Sequence, residues 1–257
     1  MRFWRVFVSL MLVAATTVAG EIPTSERRSG YSQMSADLQR MQDDDSANPG
    51  MLWVLDGETL WGRQEGAAAK SCADCHGDAA QSMKGVAARY PAVDGALKRP
   101  IDLEERINLC HANHQGATPF AAESRDLLAL TAYVARQSKG MPVNVAEDAA
   151  ALPFIAAGRA LFLQRQGQLN LSCGNCHDDN WGHKLGGAMI PQGHPNGYPL
   201  YRLEWQDLGS LQRRLRNCLI GMRAEPYAYG SPEVIELELF LAVRAKWLSI
   251  ESPAIRP

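Results

Sequence analysis

A C-x-x-C-H motif occurs twice in this chain, as Cys72-Ala-Asp-Cys75-His76 and Cys173-Gly-Asn-Cys176-His177. Two thiols at that spacing reach both vinyl groups of one porphyrin, and the adjoining imidazole reaches the iron from the same turn. Each motif therefore specifies a haem c attached through its own cysteines. A zinc site would need a second C-x-x-C or an H-x-x-H close by, and neither half of the chain has one. The expectation is two covalently bound haem c groups, held by Cys72 and Cys75 and by Cys173 and Cys176, with His76 and His177 as proximal iron ligands.

The 257 residues, 46% hydrophobic and 21% charged, suit one large or two small globular domains. Aromatic residues make up only 7%, and a buried planar cofactor is one way for a small domain to fill its core. A net charge of −2 gives no global basic field, so nothing points to nucleic acid. Residues 1–20 have the layout of a secretory signal: Arg2 and Arg5, an apolar run from Phe7 to Val18, then Ala19-Gly20. That run is shorter than the roughly 20 residues that span a bilayer, so an exported mature chain without a membrane span is expected.

The motifs sit in two copies of one plan. Superposing them aligns Gly57-Glu-Thr-Leu60-Trp61 with Gly158-Arg-Ala-Leu161-Phe162, each an amphipathic stretch running toward a haem-binding turn. Further on, Leu103-Glu-Glu-Arg106-Ile107-Asn-Leu-Cys110 resembles Leu211-Gln-Arg-Arg214-Leu215-Arg-Asn-Cys218. In both, the apolar residues seven and three positions before the cysteine share its helix face. A stronger helix closes each half, capped by Ser124 in the first and opened by Ser231-Pro232-Glu233 in the second. The fold expected is all-α, with two cytochrome c-like domains arising from internal duplication. Their bounds are 51–145 and 146–257, joined by a linker across Lys139–Pro153 and preceded by a polar, extended arm at 21–50.

The distal iron ligands are less constrained. The first half offers Cys110, His111, His114 and Met141, and the second His183, Met189, His194, Cys218 and Met222. Only the cysteines occupy corresponding places. An iron-bound thiolate would lower the reduction potential, whereas a Cys110–Cys218 disulfide would staple the domains; cysteine arithmetic permits both. His183 and His194 lie in a Gly-rich loop and read as solvated surface histidines, and Met222 reads as packing.

Around Cys218 the chain reads Arg213-Arg-Leu-Arg-Asn-Cys-Leu-Ile-Gly-Met-Arg-Ala-Glu-Pro-Tyr227. With both haem motifs, Arg106-Ile-Asn-Leu-Cys110, Gly197-Tyr-Pro-Leu-Tyr-Arg202 and Trp205-Gln206, this resembles the SoxA family, the dihaem subunit of the SoxAX cytochrome of bacterial sulfur oxidation. The resemblance implies a periplasmic heterodimer with a SoxX-like monohaem cytochrome. Such a pair joins thiosulfate oxidatively to a cysteine of a SoxYZ-like carrier and passes two electrons to a cytochrome c acceptor. It also implies that Cys110 ligates the first haem iron and Cys218 the second, that Cys218 is the catalytic persulfide nucleophile, and that Arg214 contacts substrate.

The residue chemistry is compatible. Thiosulfate is a dianion, and Arg213, Arg214, Arg216 and Arg223 crowd around Cys218 in sequence, where their charge would favour the thiolate. Arg106 holds the place equivalent to Arg214, so pairing with a haem propionate explains the repeat equally well. The rival readings are a plain dihaem electron carrier, in which Cys218 only tunes a potential, and a dihaem peroxidase, which needs an iron open to peroxide.

Overall fold

The computed structural model describes residues 22–257, so the expected signal segment lies outside the described residues. Among the described residues no helix is long and apolar enough to cross a membrane. The segment read as an extended arm instead winds into two short 3-10 turns and helix α1 (Ala36–Asp43), which starts where the Ser35 side chain accepts the Leu38 N–H. Gln42 and Asn48 then bury their amides against the far end of the chain. Gln42 accepts from the Ile255 N–H at 2.9 Å, and Asn48 donates to the Pro253 carbonyl at 2.9 Å.

The first half runs α2 (Met51–Gly62), α3 (Cys72–His76), α4 (Ala79–Ser82), the hairpin β1 (Ala92–Asp94) and β2 (Arg99–Ile101), α5 (Leu103–Cys110) and α6 (Arg125–Arg136). A single π turn at His111–Gln115 extends α5. The second half runs α7 (Leu152–Leu163), α8 (Cys173–His177), a small hairpin of β3 (Lys184–Leu185) and β4 (Ala188–Met189), a second hairpin of β5 (Leu200–Arg202) and β6 (Asp207–Gly209), α9 (Leu211–Gly221) and α10 (Pro232–Arg244). Strand β7 (Ala254–Arg256) then adds to β5 in parallel.

Each half is held by a helix crossing made close by glycine. A Cβ on Gly57 of α2 would run into the Ala129 carbonyl of α6, and one on Gly158 of α7 into the Glu236 carbonyl of α10. Around the first crossing, Trp53, Val54 and Leu60 pack on Leu128, Ala129 and Ala132; around the second, Phe162 packs on Leu237, Phe240 and Leu241. Ser124 caps α6 through the Leu127 N–H as expected, and Ser231 and Pro232 open α10, although the Ser231 hydroxyl makes no cap bond.

The all-helical expectation changes. Among the described residues, seven strands of two or three residues stand where only helices were expected. Strands that short carry no readable alternation. The first hairpin is set by a local turn in which the Asp94 carboxylate accepts the Ala96 and Leu97 N–H groups at 2.8 Å each. The stretch expected to link the halves is packed against the second one. Val143 and Val145 are buried against Leu239, Ala242 and Ala245 of the second half, and Val143 exchanges backbone hydrogen bonds with Trp247 and Leu248.

Candidate functional site

The second C-x-x-C-H motif occupies the one-turn helix α8. Its start is fixed by a capping box: the Ser172 hydroxyl accepts the Asn175 N–H, and the Asn175 side chain accepts the Ser172 N–H. Cys173 and His177 thereby face a cavity of about 660 Å³ that Cys218, on α9, also lines. Its apolar walls include Phe162, Leu200, Leu211, Leu215 and Leu241. Gly30, Met34 and Leu38 of the arm close one side, and Met189 and His194 line it as well.

Three observations fit this site to a covalently held haem. The cavity is mostly apolar and of cofactor size. Gly193 leaves the His177 ring room, since a Cβ there would come within 3.0 Å of it. His177 Nδ1 donates to the Pro191 carbonyl at 2.6 Å, which fixes the ring and leaves Nε2 for a metal, as metal-bound histidines require.

Burial pushes the Cys173 thiol up to about 12, with the neighbouring Cys218 adding to it. Cys218 moves the other way. Burial raises it, but a hydrogen bond from His177 and the charges of Arg214, His177 and Arg202 outweigh that, so the thiol lies below its ordinary value.

Of the four arginines that crowd Cys218 in sequence, only Arg214 lines the cavity. Arg213 is turned away onto the Trp205 ring, 4.3 Å from its centroid, and pairs with Asp207 at 3.2 Å. Arg216 donates to the Tyr227 carbonyl and stacks on Tyr229, and Arg223 is exposed. The second cation acting on Cys218 is Arg202 of β5, which the sequence reading quoted only as part of a likeness. His183 is exposed as expected. His194 is not a solvated histidine: it lines the cavity, bonds Gln192, and burial with the nearby Arg244 and Arg27 pulls it down to about 3. Met222 is buried outside the cavity lining, as packing.

The first motif is built alike. Ser71 and Asp74 form the capping box of α3, and the Trp61 indole donates to the Gly77 carbonyl at 3.0 Å while its ring lies 5.8 Å from that of His76. Burial pushes Cys72 up to about 11, with Cys110 and Cys75 contributing through their charges, so these thiols share one neighbourhood. Cys72 packs with Leu103, Met83 and Trp61 in an apolar cluster beside the motif. The remaining candidates in this half are otherwise engaged or outside it. His111 is buried, stacked on Phe120 at 4.2 Å and bonded to Gln115 at 2.6 Å; His114 is exposed; and Met141 packs on Gly85.

All six cysteines are free thiols. Cys110 sits with the first motif's pair and Cys218 with the second's, so no bridge joins them.

A cytochrome c fold around thiols and imidazoles spaced for thioether attachment defines a c-type cytochrome. Residues 56–143 match the family model for the SoxA/TsdA cytochrome c domain. Over 235 residues the chain is 40% identical to the L-cysteine S-thiosulfotransferase subunit SoxA of Pseudaminobacter salicylatoxidans, covering 91% of this chain and 82% of that one. The SoxA subunit of Rhodovulum sulfidophilum is 38% identical, with 90% of this chain and 80% of the relative covered. In three dimensions the chain is similar to SoxXA from P. pantotrophus, with a TM-score of 0.87 at 33% identity over 90% of this chain and 87% of the other. The chain belongs to the SoxA family.

Proposed function

We propose that this protein is the haem-bearing catalytic subunit of an L-cysteine S-thiosulfotransferase, joining thiosulfate to a cysteine of a SoxYZ-like carrier protein. In the overall reaction a carrier thiol and thiosulfate form one S–S bond, releasing two electrons and the thiol proton to the acceptor side. The observation that carries this reading is the placement of Cys218. A thiol lining the same cavity as His177 and two arginines stands where an anionic sulfur substrate is drawn, and those cations favour its thiolate form.

Each covalently held haem iron would supply one-electron steps. The chain would hold the first through Cys72, Cys75, His76 and Cys110, and the second through Cys173, Cys176, His177 and Cys218. Cys218, as thiolate or persulfide, is the nucleophile that carries sulfur, and Arg214 orients the substrate. Arg214 differs from its counterpart. Arg106 is tied to Asp94 and donates to the Tyr90 hydroxyl at 3.1 Å, whereas among the described residues Arg214 makes no ion pair. That asymmetry favours substrate for Arg214 over a structural role common to both halves.

The chain is read as two cytochrome c-like domains, 51–145 and 146–257, related by internal duplication. The shared order of helix, haem turn, hairpin, ligand helix and closing helix supports this. Its partners are a SoxX-like monohaem cytochrome, the carrier and a cytochrome c acceptor, and its compartment is the periplasm, reached by removal of residues 1–20.

The test is Cys218→Ala in the haem-loaded complex. Intact mass should still show two haems, while thiosulfate-dependent reduction of cytochrome c in the presence of carrier falls to background. If turnover persists, with only a haem potential changed, the protein is an electron carrier.

A further inference from the structure

The hairpin before the cysteine helix carries opposite charges in the two halves. In the first, Arg106 stands four residues before Cys110 and is consumed by Asp94, the last residue of β1. In the second, Arg214 stands four residues before Cys218, and the last residue of β5 is Arg202. The registers agree: Asp94 pairs with Arg99 across its hairpin, and Arg202 with Asp207 across the other. Where one half pairs the arginine of its cysteine helix with the hairpin, the other sets a second arginine there, whose own partner is the exposed Glu204.

Both cations line the Cys218 cavity, and the rest of the site leaves them available. Arg256, the third arginine there, pairs with Glu251 at 2.6 Å and donates to Gln42 at 2.8 Å. Arg202 is fixed from one side only, its Nε bonded to Glu204 at 2.9 Å and its guanidinium 5.6 Å from the Trp205 ring. Among the described residues its terminal amino groups make no hydrogen bond. Glu204, the carboxylate that pairs with Arg202, is 65% exposed and engages only its Nε, so the facing ends of the two guanidinium groups still repel unless an anion joins them.

We infer that Arg202 and Arg214 form a cradle for a divalent sulfur oxyanion, with Arg202 binding the sulfonate end of thiosulfate while Cys218 faces its sulfane sulfur. This rests on the function proposed above and extends it by one substrate-binding residue, supplied by a strand rather than by the helix that carries the cysteine. Arg202 and Cys218 line the same cavity, which ties the two groups to one space.

The experiment compares wild type, Arg202→Lys and Arg202→Asp in the haem-loaded complex. Arg202→Asp sets at this register the residue type of the first half, though facing Asp207 instead of an arginine, so Arg202→Lys, which keeps the charge, controls for the fold. Two quantities are read: the KM for thiosulfate, and the calorimetric affinity for sulfate, a non-reacting dianion. Loss of one charge-assisted contact predicts that both weaken about tenfold or more in Arg202→Asp and less in Arg202→Lys.

Unchanged sulfate affinity in Arg202→Asp overturns the cradle. So does a shifted haem midpoint potential with sulfate affinity intact, which would place Arg202 on a haem propionate. Wild-type complex that binds sulfate through Arg202 but does not turn over thiosulfate would leave the cradle standing and remove the proposed reaction.

Discussion

Arg244 and Asp178 form the most deeply buried ion pair described, with side chains 5% and 7% exposed and joined at 2.6 Å. The pair fixes the residue after His177 to α10, and Arg244 also lies 4.4 Å over the Phe162 ring and donates to the Gln192 carbonyl. Asp178→Asn would leave the guanidinium buried without its counter-charge. That predicts a loss of about 3–5 kcal/mol in urea unfolding of the haem-loaded protein.

Neither partner was legible in the sequence, because 66 residues separate them. What was legible is chemistry closed within one turn, such as the haem motifs. Arg213 and Arg216 looked like site residues because they are near Cys218 along the chain, yet helix geometry turns them onto Trp205 and Tyr227. Arg202 went unassigned for the opposite reason: a hairpin carries it in from outside the helix.

Among the elements, the two crossings at Gly57 and Gly158 carry the most specific demand. Gly57→Ala or Gly158→Ala would force α2 from α6, or α7 from α10, by pressing a methyl group on a backbone carbonyl. Overpacking of that kind predicts a loss of about 1–3 kcal/mol, read as a lower midpoint in thermal unfolding, for either variant. The helices themselves could be anticipated from their caps and apolar spacing. The reason the glycines recur could not, since only the partner helix shows what a side chain would strike. The strands were missed because two or three residues of pairing leave no pattern, and α1 because its few apolar positions sit in a polar segment.

Across the whole molecule, Asp102, Glu104, Glu123 and Glu238 gather where the halves meet, with Gln212 of the second half donating to Asp102 at 2.6 Å. Burial raises all four acids: Asp102 to about 6, with the charge of Glu105 adding to it, Glu123 with that of Asp207, and Glu104 and Glu238 well above the usual range, with the charges of Asp102 and Glu123 adding. The facing cations are Arg99 toward Asp102 and Arg213 toward Glu123. A raised folded-state value means stability that is full below the ordinary carboxylate range and is lost as pH rises through the folded value. His194 works in the opposite sense, losing stability as pH falls, so the wild-type curve alone is a sum. Glu238→Gln isolates the acid. Urea unfolding at pH 8 should find the variant more stable than wild type, with the gap closing toward pH 4; a gap independent of pH would sink the assignment.

The cavity around Cys218 draws its walls from both ends of the described chain: Gly30, Met34 and Leu38 on one side, and Arg256 of the strand that completes the β5 sheet on another. A fragment beginning at residue 146 would keep Cys173, His177 and Cys218 and still stand open to water along the missing flank. The halves are therefore not interchangeable cassettes, and a chimera that exchanged the second alone would have to carry residues 30–38 with it.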